Sequence, residues 1–128
     1  MTDPSVLKGC KVLVVEDEMI VALDICEHLE PLGCEIVGPA PTVKKALTAL
    51  ETHTPDLALL DENLDGEIVT PIAETLERRN IPFVIVSGYN TSRTGDAILE
   101  QAPRVAKPAA NDAIVAALLK LRAAQNGG

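Results

Sequence analysis

The sequence predicts an α/β fold: a doubly wound, five-stranded parallel sheet covered by helices on both faces. Two observations carry this. Five short apolar runs recur along the chain, and each is continuous rather than alternating, the mark of strands buried on both sides. The segments between them carry the helical period instead.

The first strand is read at Val12-Leu13-Val14-Val15, followed by a helix whose stripe is Ala22, Ile25, Cys26, Leu29 and Leu32. Pro31 and Gly33 close that helix. Ile36-Val37 forms the second strand, and Val43, Ala46, Leu47 and Leu50 the next helical stripe, with Thr42 as its N-cap. Leu57-Ala58-Leu59-Leu60 is the third strand, followed by a helix on Val69, Ile72, Ala73 and Leu76. Asn80 and Pro82 separate it from the fourth strand, Phe83-Val84-Ile85-Val86. Thr91 to Gln101 makes a weak fourth helix, because Thr94 and Gly95 interrupt it and only Ala97, Ile98 and Leu99 offer core contacts. Val105-Ala106 is the last strand, and Ile114, Ala117, Leu118 and Leu121 stripe the last helix. Five such units in one small domain favour the flavodoxin-like strand order 2-1-3-4-5.

Composition agrees. The 128 residues are 47% apolar and 23% charged, enough for one domain to bury roughly two-thirds of its unfolded surface. A formal charge of −8 is the wrong sign for gripping a phosphate backbone, so no nucleic-acid partner is expected. No apolar run approaches the roughly 18 residues of a membrane span, and the N-terminus lacks the features of a signal peptide. A cytoplasmic protein without a membrane partner is the expectation. Cys10, Cys26 and Cys34 form no CxxC pair and are odd in number, which suits buried, reduced thiols.

In sheets of this kind ligands sit beyond the carboxyl ends of the strands. Those ends carry Glu16-Asp17-Glu18, Asp61-Glu62-Asn63, Ser87-Gly88-Tyr89 and Lys107-Pro108. The strand order brings Glu16, Asp17 and Asp61 together at the switch point, with Ser87 and Lys107 beside them. Two carboxylates about 4 Å apart repel by roughly 4 kcal/mol at an effective dielectric near 20. Such a cluster must protonate, spread or bind a cation, and Lys107 alone cannot neutralise three. Mg²⁺ fits a site of oxygen ligands completed by a phosphate oxygen. Metal, lysine and hydroxyl together form a phosphoryl-binding set.

These motifs resemble the receiver domain of bacterial two-component response regulators, over nearly the whole chain. The resemblance rests on the acidic pair in Val14-Val15-Glu16-Asp17-Glu18, the strand ending in Asp61, Ser87 after the fourth strand, and Lys107-Pro108. It implies that Asp61 is the phosphoacceptor attacking a phosphohistidine on a sensor histidine kinase or histidine phosphotransfer protein. Asp17 and Asp61 would then hold Mg²⁺ directly, Glu16 through water, and Asn63 through its backbone carbonyl. Ser87 and Lys107 would bind phosphoryl oxygens and repack the last strands and helices, and Pro108 is a candidate for a cis peptide.

The chain departs from the common receiver pattern in three places. No proline follows Asp61 in Glu62-Asn63-Leu64-Asp65-Gly66. Arg104 stands where an aromatic switch residue is usual, either pairing with a nearby acid or taking part in signalling. Ala109 replaces the phenylalanine usual after Lys-Pro. Pro82 to Tyr89 instead looks like the Phe-Ala-Thr-Gly-Tyr segment of the atypical "FAT GUY" receivers, with Ile85, Val86 and Ser87 for Phe, Ala and Thr. Ser87, Gly88, Tyr89 and Arg104 are therefore the candidate switch residues. That subgroup often stands alone and is similar to partners of HWE or HisKA2-type kinases. The region after Gly88 is expected to exchange before phosphorylation and settle after it.

Asp61-x-Asn63-x-Asp65-Gly66-x-Ile68 imitates the start of a calcium-binding loop, but Ile72 stands where the bidentate Glu is required. His28 and His53 read as surface residues, and Glu18 as a solvated helix start. The expected function is a single-domain response regulator, residues 1–128 with a core of about 10–124 and no output domain, acting on an unknown downstream protein or as a phosphate sink. It would be no enzyme beyond its own phosphorylation and slow dephosphorylation. The alternatives are a haloacid-dehalogenase-like Mg²⁺-dependent phosphohydrolase, which wants an Asp at the position of Asn63, and a pseudo-receiver that binds partners without chemistry.

Overall fold

The computed structural model describes residues 4–87, 97–106 and 111–127. After a short 3-10 turn (Pro4–Leu7) come β1 (Lys11–Val15), α1 (Met19–Leu29), a second 3-10 turn (Glu30–Leu32), β2 (Glu35–Ala40) and α2 (Val43–Thr52). Then follow β3 (Leu57–Asp61), β4 (Asn63–Leu64), β5 (Glu67–Ile68), α3 (Thr70–Arg78), β6 (Phe83–Ser87), α4 (Ala97–Glu100), β7 (Arg104–Ala106) and α5 (Asn111–Gly127).

Five strands form one sheet in the order β2-β1-β3-β6-β7, and every pairing in it is parallel. Counted among themselves these strands run 2-1-3-4-5, as the sequence predicts. The numbering shifts because β4 and β5 form a separate antiparallel hairpin in a segment whose sequence carries no strand period. Its turn is Asp65-Gly66, with φ of 49° and 89°. Positive φ at both central residues is the backbone of a type I′ turn, which Asp-Gly adopts readily. The same geometry disposes of the calcium-loop imitation, because this segment is a hairpin following a strand.

Each sheet face has its own core. Leu13, Val15, Leu60 and Ile85 pack on one side with Ala46 and Leu50 of α2, Ile72, Ala73 and Leu76 of α3, and Leu99 of α4. Val12, Val14, Leu59, Val84 and Val86 face the other way, against Ile25 and Leu29 of α1 and Ile114 and Leu118 of α5. Period-two alternation in β1 thus feeds two apolar layers, and all five residues of β3 are buried.

The caps follow chemistry. Thr42 Oγ1 accepts the Lys45 N–H at 3.1 Å and opens α2. Gly33, at φ 92°, turns the chain out of the second 3-10 turn, where a Cβ would lie 2.9 Å from Lys8 Cα. The fourth helix is short at its described end, as its weak sequence predicts: α4 has four residues and Leu99 is its buried member, but Ala97, read as a core contact, is exposed. The rest of that prediction, and the exchange proposed after Gly88, lie outside the described residues.

Candidate functional site

Glu16 follows β1, and its N–H donates to Ala40 O at 3.1 Å, continuing the β1–β2 ladder past the strand end. Its Oε2 accepts the Glu18 N–H at 3.1 Å, folding the carboxylate back across the turn into α1. Glu18 itself is exposed at the N-cap of α1, as predicted. Asp61 is the last residue of β3, and the pairing of Val15 with Leu60 brings it beside Glu16 and Asp17. One oxygen from each of these three carboxylates can be chosen so that all lie within 4.8 Å of one another. Glu16 and Asp61 are buried and Asp17 is half-buried.

Three acids at such spacing, two of them removed from water, have the oxygen-only donor set of a hard divalent cation. The neighbouring Asn63 opens β4, and its loop is fastened at two points. Leu64 is buried in the core, and Glu67 Oε1 accepts the Val43 N–H of α2 at 3.1 Å.

On the other side of Asp61 the polar contacts continue. Glu62 donates its N–H to Val86 O at 2.9 Å, and the residue is only 9% exposed. Ser87, the last residue of β6, is buried, and its hydroxyl donates to Glu62 Oε1 at 2.6 Å. Arg104 of β7 places Nη1 3.5 Å from the same oxygen and donates from Nη2 to Leu99 O at 3.0 Å. Arg104 therefore does pair with an acid, the first of its two anticipated roles. Glu62 was not singled out from the sequence. The available signal was an acid directly after the strand-end Asp61, facing an unexplained arginine on the edge strand. Lys107, Pro108, Gly88 and Tyr89 lie outside the described residues.

A groove of about 780 Å³ runs from Glu16 and Val86 along α1 to Asn111 and Ile114 of α5. Met19, Ile20 and Leu23 of α1 stand 74%, 85% and 51% exposed, so this helix presents an apolar flank beside the acids as well as its buried stripe. Asn111 Nδ2 bridges the two helices by donating to Asp24 Oδ2 at 2.8 Å. His28 sits on the exposed side of α1 and His53 at the C-cap of α2, the surface positions expected of them. All three cysteines are free and buried, and desolvation raises each thiol above its ordinary pKa, Cys10 to about 11.

Residues 12–119 match the family model of the response regulator receiver domain. The chain belongs to that family. It is 32% identical to the transcriptional regulatory protein PdtaR of Mycobacterium tuberculosis over 92 residues, which is 70% of this chain and 44% of that protein. The chain thus spans under half the length of that curated relative. Among solved structures, SdrG from Sphingomonas melonis Fr1 is 37% identical, with a TM-score of 0.72 over 88% of this chain and 96% of that one. The response regulator PhyR from Brucella abortus is 26% identical, with a TM-score of 0.80 over 96% of this chain and 52% of that one. Receivers are regulators rather than enzymes, so membership sets aside the phosphohydrolase alternative. Among the described residues no helix of this receiver is long and apolar enough to cross a membrane.

Proposed function

We propose that this receiver accepts a phosphoryl group on Asp61 from a sensor histidine kinase or histidine phosphotransfer protein and thereby switches a protein-binding surface. The observation that carries the reading is the convergence of Glu16, Asp17 and Asp61 within 4.8 Å at the carboxyl edge of the sheet, next to the buried Ser87. An Asp61 oxygen attacks phosphorus, the phosphorus–nitrogen bond to the histidine breaks, and the imidazole leaves. Asp17 and Asp61 would hold Mg²⁺ directly and Glu16 through water, with the Asn63 carbonyl as a further ligand. When bound, that ion supplies positive charge to the transferring phosphoryl oxygens. Ser87 and Lys107 are read as the groups that bind those oxygens afterwards.

The exposed apolar flank of α1 beside the acids fits a helical partner presenting its histidine to Asp61. Pro82 to Tyr89 supports placing the chain in the "FAT GUY" subgroup, with Gly88, Tyr89 and Arg104 among its switch residues and an HWE or HisKA2-type kinase as donor. SdrG, a relative of similar extent, has also been solved in a BeF3-activated conformation, which supports a switching role here. We read the 128 residues as one cytoplasmic receiver domain. Its output is then contact with a downstream protein, or competition for phosphate as a sink.

Acetyl phosphate with Mg²⁺, followed by intact mass, tests the reading. One added phosphate is expected, abolished by chelation and by Asp61→Asn. A folded protein that takes up none would point instead to a pseudo-receiver.

A further inference from the structure

Glu62 follows β3, Ser87 ends β6 and Arg104 opens β7, three successive neighbours in the sheet, and their side chains meet next to Asp61. A carboxylate as buried as Glu62 costs free energy unless it is hydrogen-bonded and counter-charged, and Ser87 and Arg104 supply one of each. Ser87 spends its one hydroxyl proton on Glu62 Oε1, at the 2.6 Å typical of a charge-assisted bond. The same proton cannot also be donated to a phosphoryl oxygen on Asp61.

We propose that Glu62 and Arg104 are positioning residues of the switch: together they hold the Ser87 hydroxyl in its resting orientation and carry its release to α4. The proposal rests on Asp61 being the phosphoacceptor. When Ser87 turns its proton to the new phosphoryl oxygen, Glu62 Oε1 loses that donor. Arg104 Nη1, at 3.5 Å, is too distant for a good charge-assisted bond and closes the gap. Its Nη2 already holds Leu99 O, so the movement is passed to α4. A charged relay thus stands where an aromatic side chain is usual in receivers.

Mg²⁺-dependent beryllofluoride affinity, titrated by NMR on the full chain, tests this in the native protein, Glu62→Gln, Ser87→Ala and the double variant. A glutamine keeps the shape but weakens the hold on the hydroxyl. Glu62→Gln is therefore expected to tighten beryllofluoride about tenfold when Ser87 is present, against about twofold or less in the Ser87→Ala background. The twofold part is the simple loss of a negative charge near the anion. Equal effects in the two backgrounds overturn the proposal while leaving Asp61 as acceptor. No beryllofluoride binding by the native protein overturns both. Arg104→Met is expected to leave the shifts at Ser87 and shrink those at Ala97–Glu100 by half or more. Undiminished α4 shifts overturn the relay. Arg104→Lys serves if the methionine variant does not fold, because an ammonium cannot fork to both Leu99 O and Glu62.

Discussion

The two ends of the sheet handle charge in opposite ways. At the carboxyl end, Glu16, Asp61, Glu62 and Ser87 are buried, and among the described residues these are the only buried polar or charged side chains. At the amino end the polar ties stay near water. Asp56 Oδ2 accepts the Lys11 N–H at 2.9 Å, Arg122 approaches Asp56 Oδ1 at 3.7 Å, and Gln125 donates to Asp56 O at 2.9 Å. One end closes the fold with inexpensive surface contacts. The other concentrates like charges where they repel, which a sequence selected for stability alone would avoid.

The contrast can be broken most severely through the layers that both ends share. Leu29, fully buried between α1 and the sheet, is expected to cost about 2–5 kcal/mol as Leu29→Ala by urea unfolding, without moving the acidic cluster. Asp17→Asn sharpens the comparison with the opposite sign. Relieving repulsion in the cluster is expected to stabilise the metal-free protein by about 1–2 kcal/mol and to abolish the rise in Tm that the proposed Mg²⁺ site predicts for the native chain. At the amino end, Asp56→Ala should cost only about 1 kcal/mol, because its partners can turn to water. At neutral pH the smallest effect concerns the thiols. Cys10 titrates at about 11 when folded against 9.0 ordinarily, so folding favours the neutral thiol. That contribution is complete below pH 9 and is lost as pH rises toward 11, so urea midpoints should fall across this window and fall less in Cys10→Ala.

Much of this was legible in the sequence for local reasons. The stripe Val69, Ile72, Ala73 and Leu76 is buried throughout, and Thr42 caps α2 as its side chain predicts. The meeting of Glu16, Asp17 and Asp61 followed from strand order alone, because residues just past the ends of adjacent parallel strands must be neighbours. Glu62 was not legible, since its partners depend on how side chains fold across β6 toward β7, which no periodicity encodes. The hairpin was written in Asp65-Gly66, but the resemblance to a calcium loop drew attention to the same residues for another reason. The open flank of α1 was hidden by the buried stripe of the same helix. Met19, Ile20 and Leu23 are apolar too, and spacing identifies the inward face without saying what the outward one is for.

The tie from Glu67 to the first turn of α2 has a consequence in conformational entropy. The loop after Asp61 is pinned by its own hairpin and by the Val43 N–H, so its backbone is already confined to one shape. Ordering a free segment of that length costs about 1–2 kcal/mol per residue. Here that cost is met on folding, so a ligand reaching the carboxyl edge has less of the segment after Asp61 left to order.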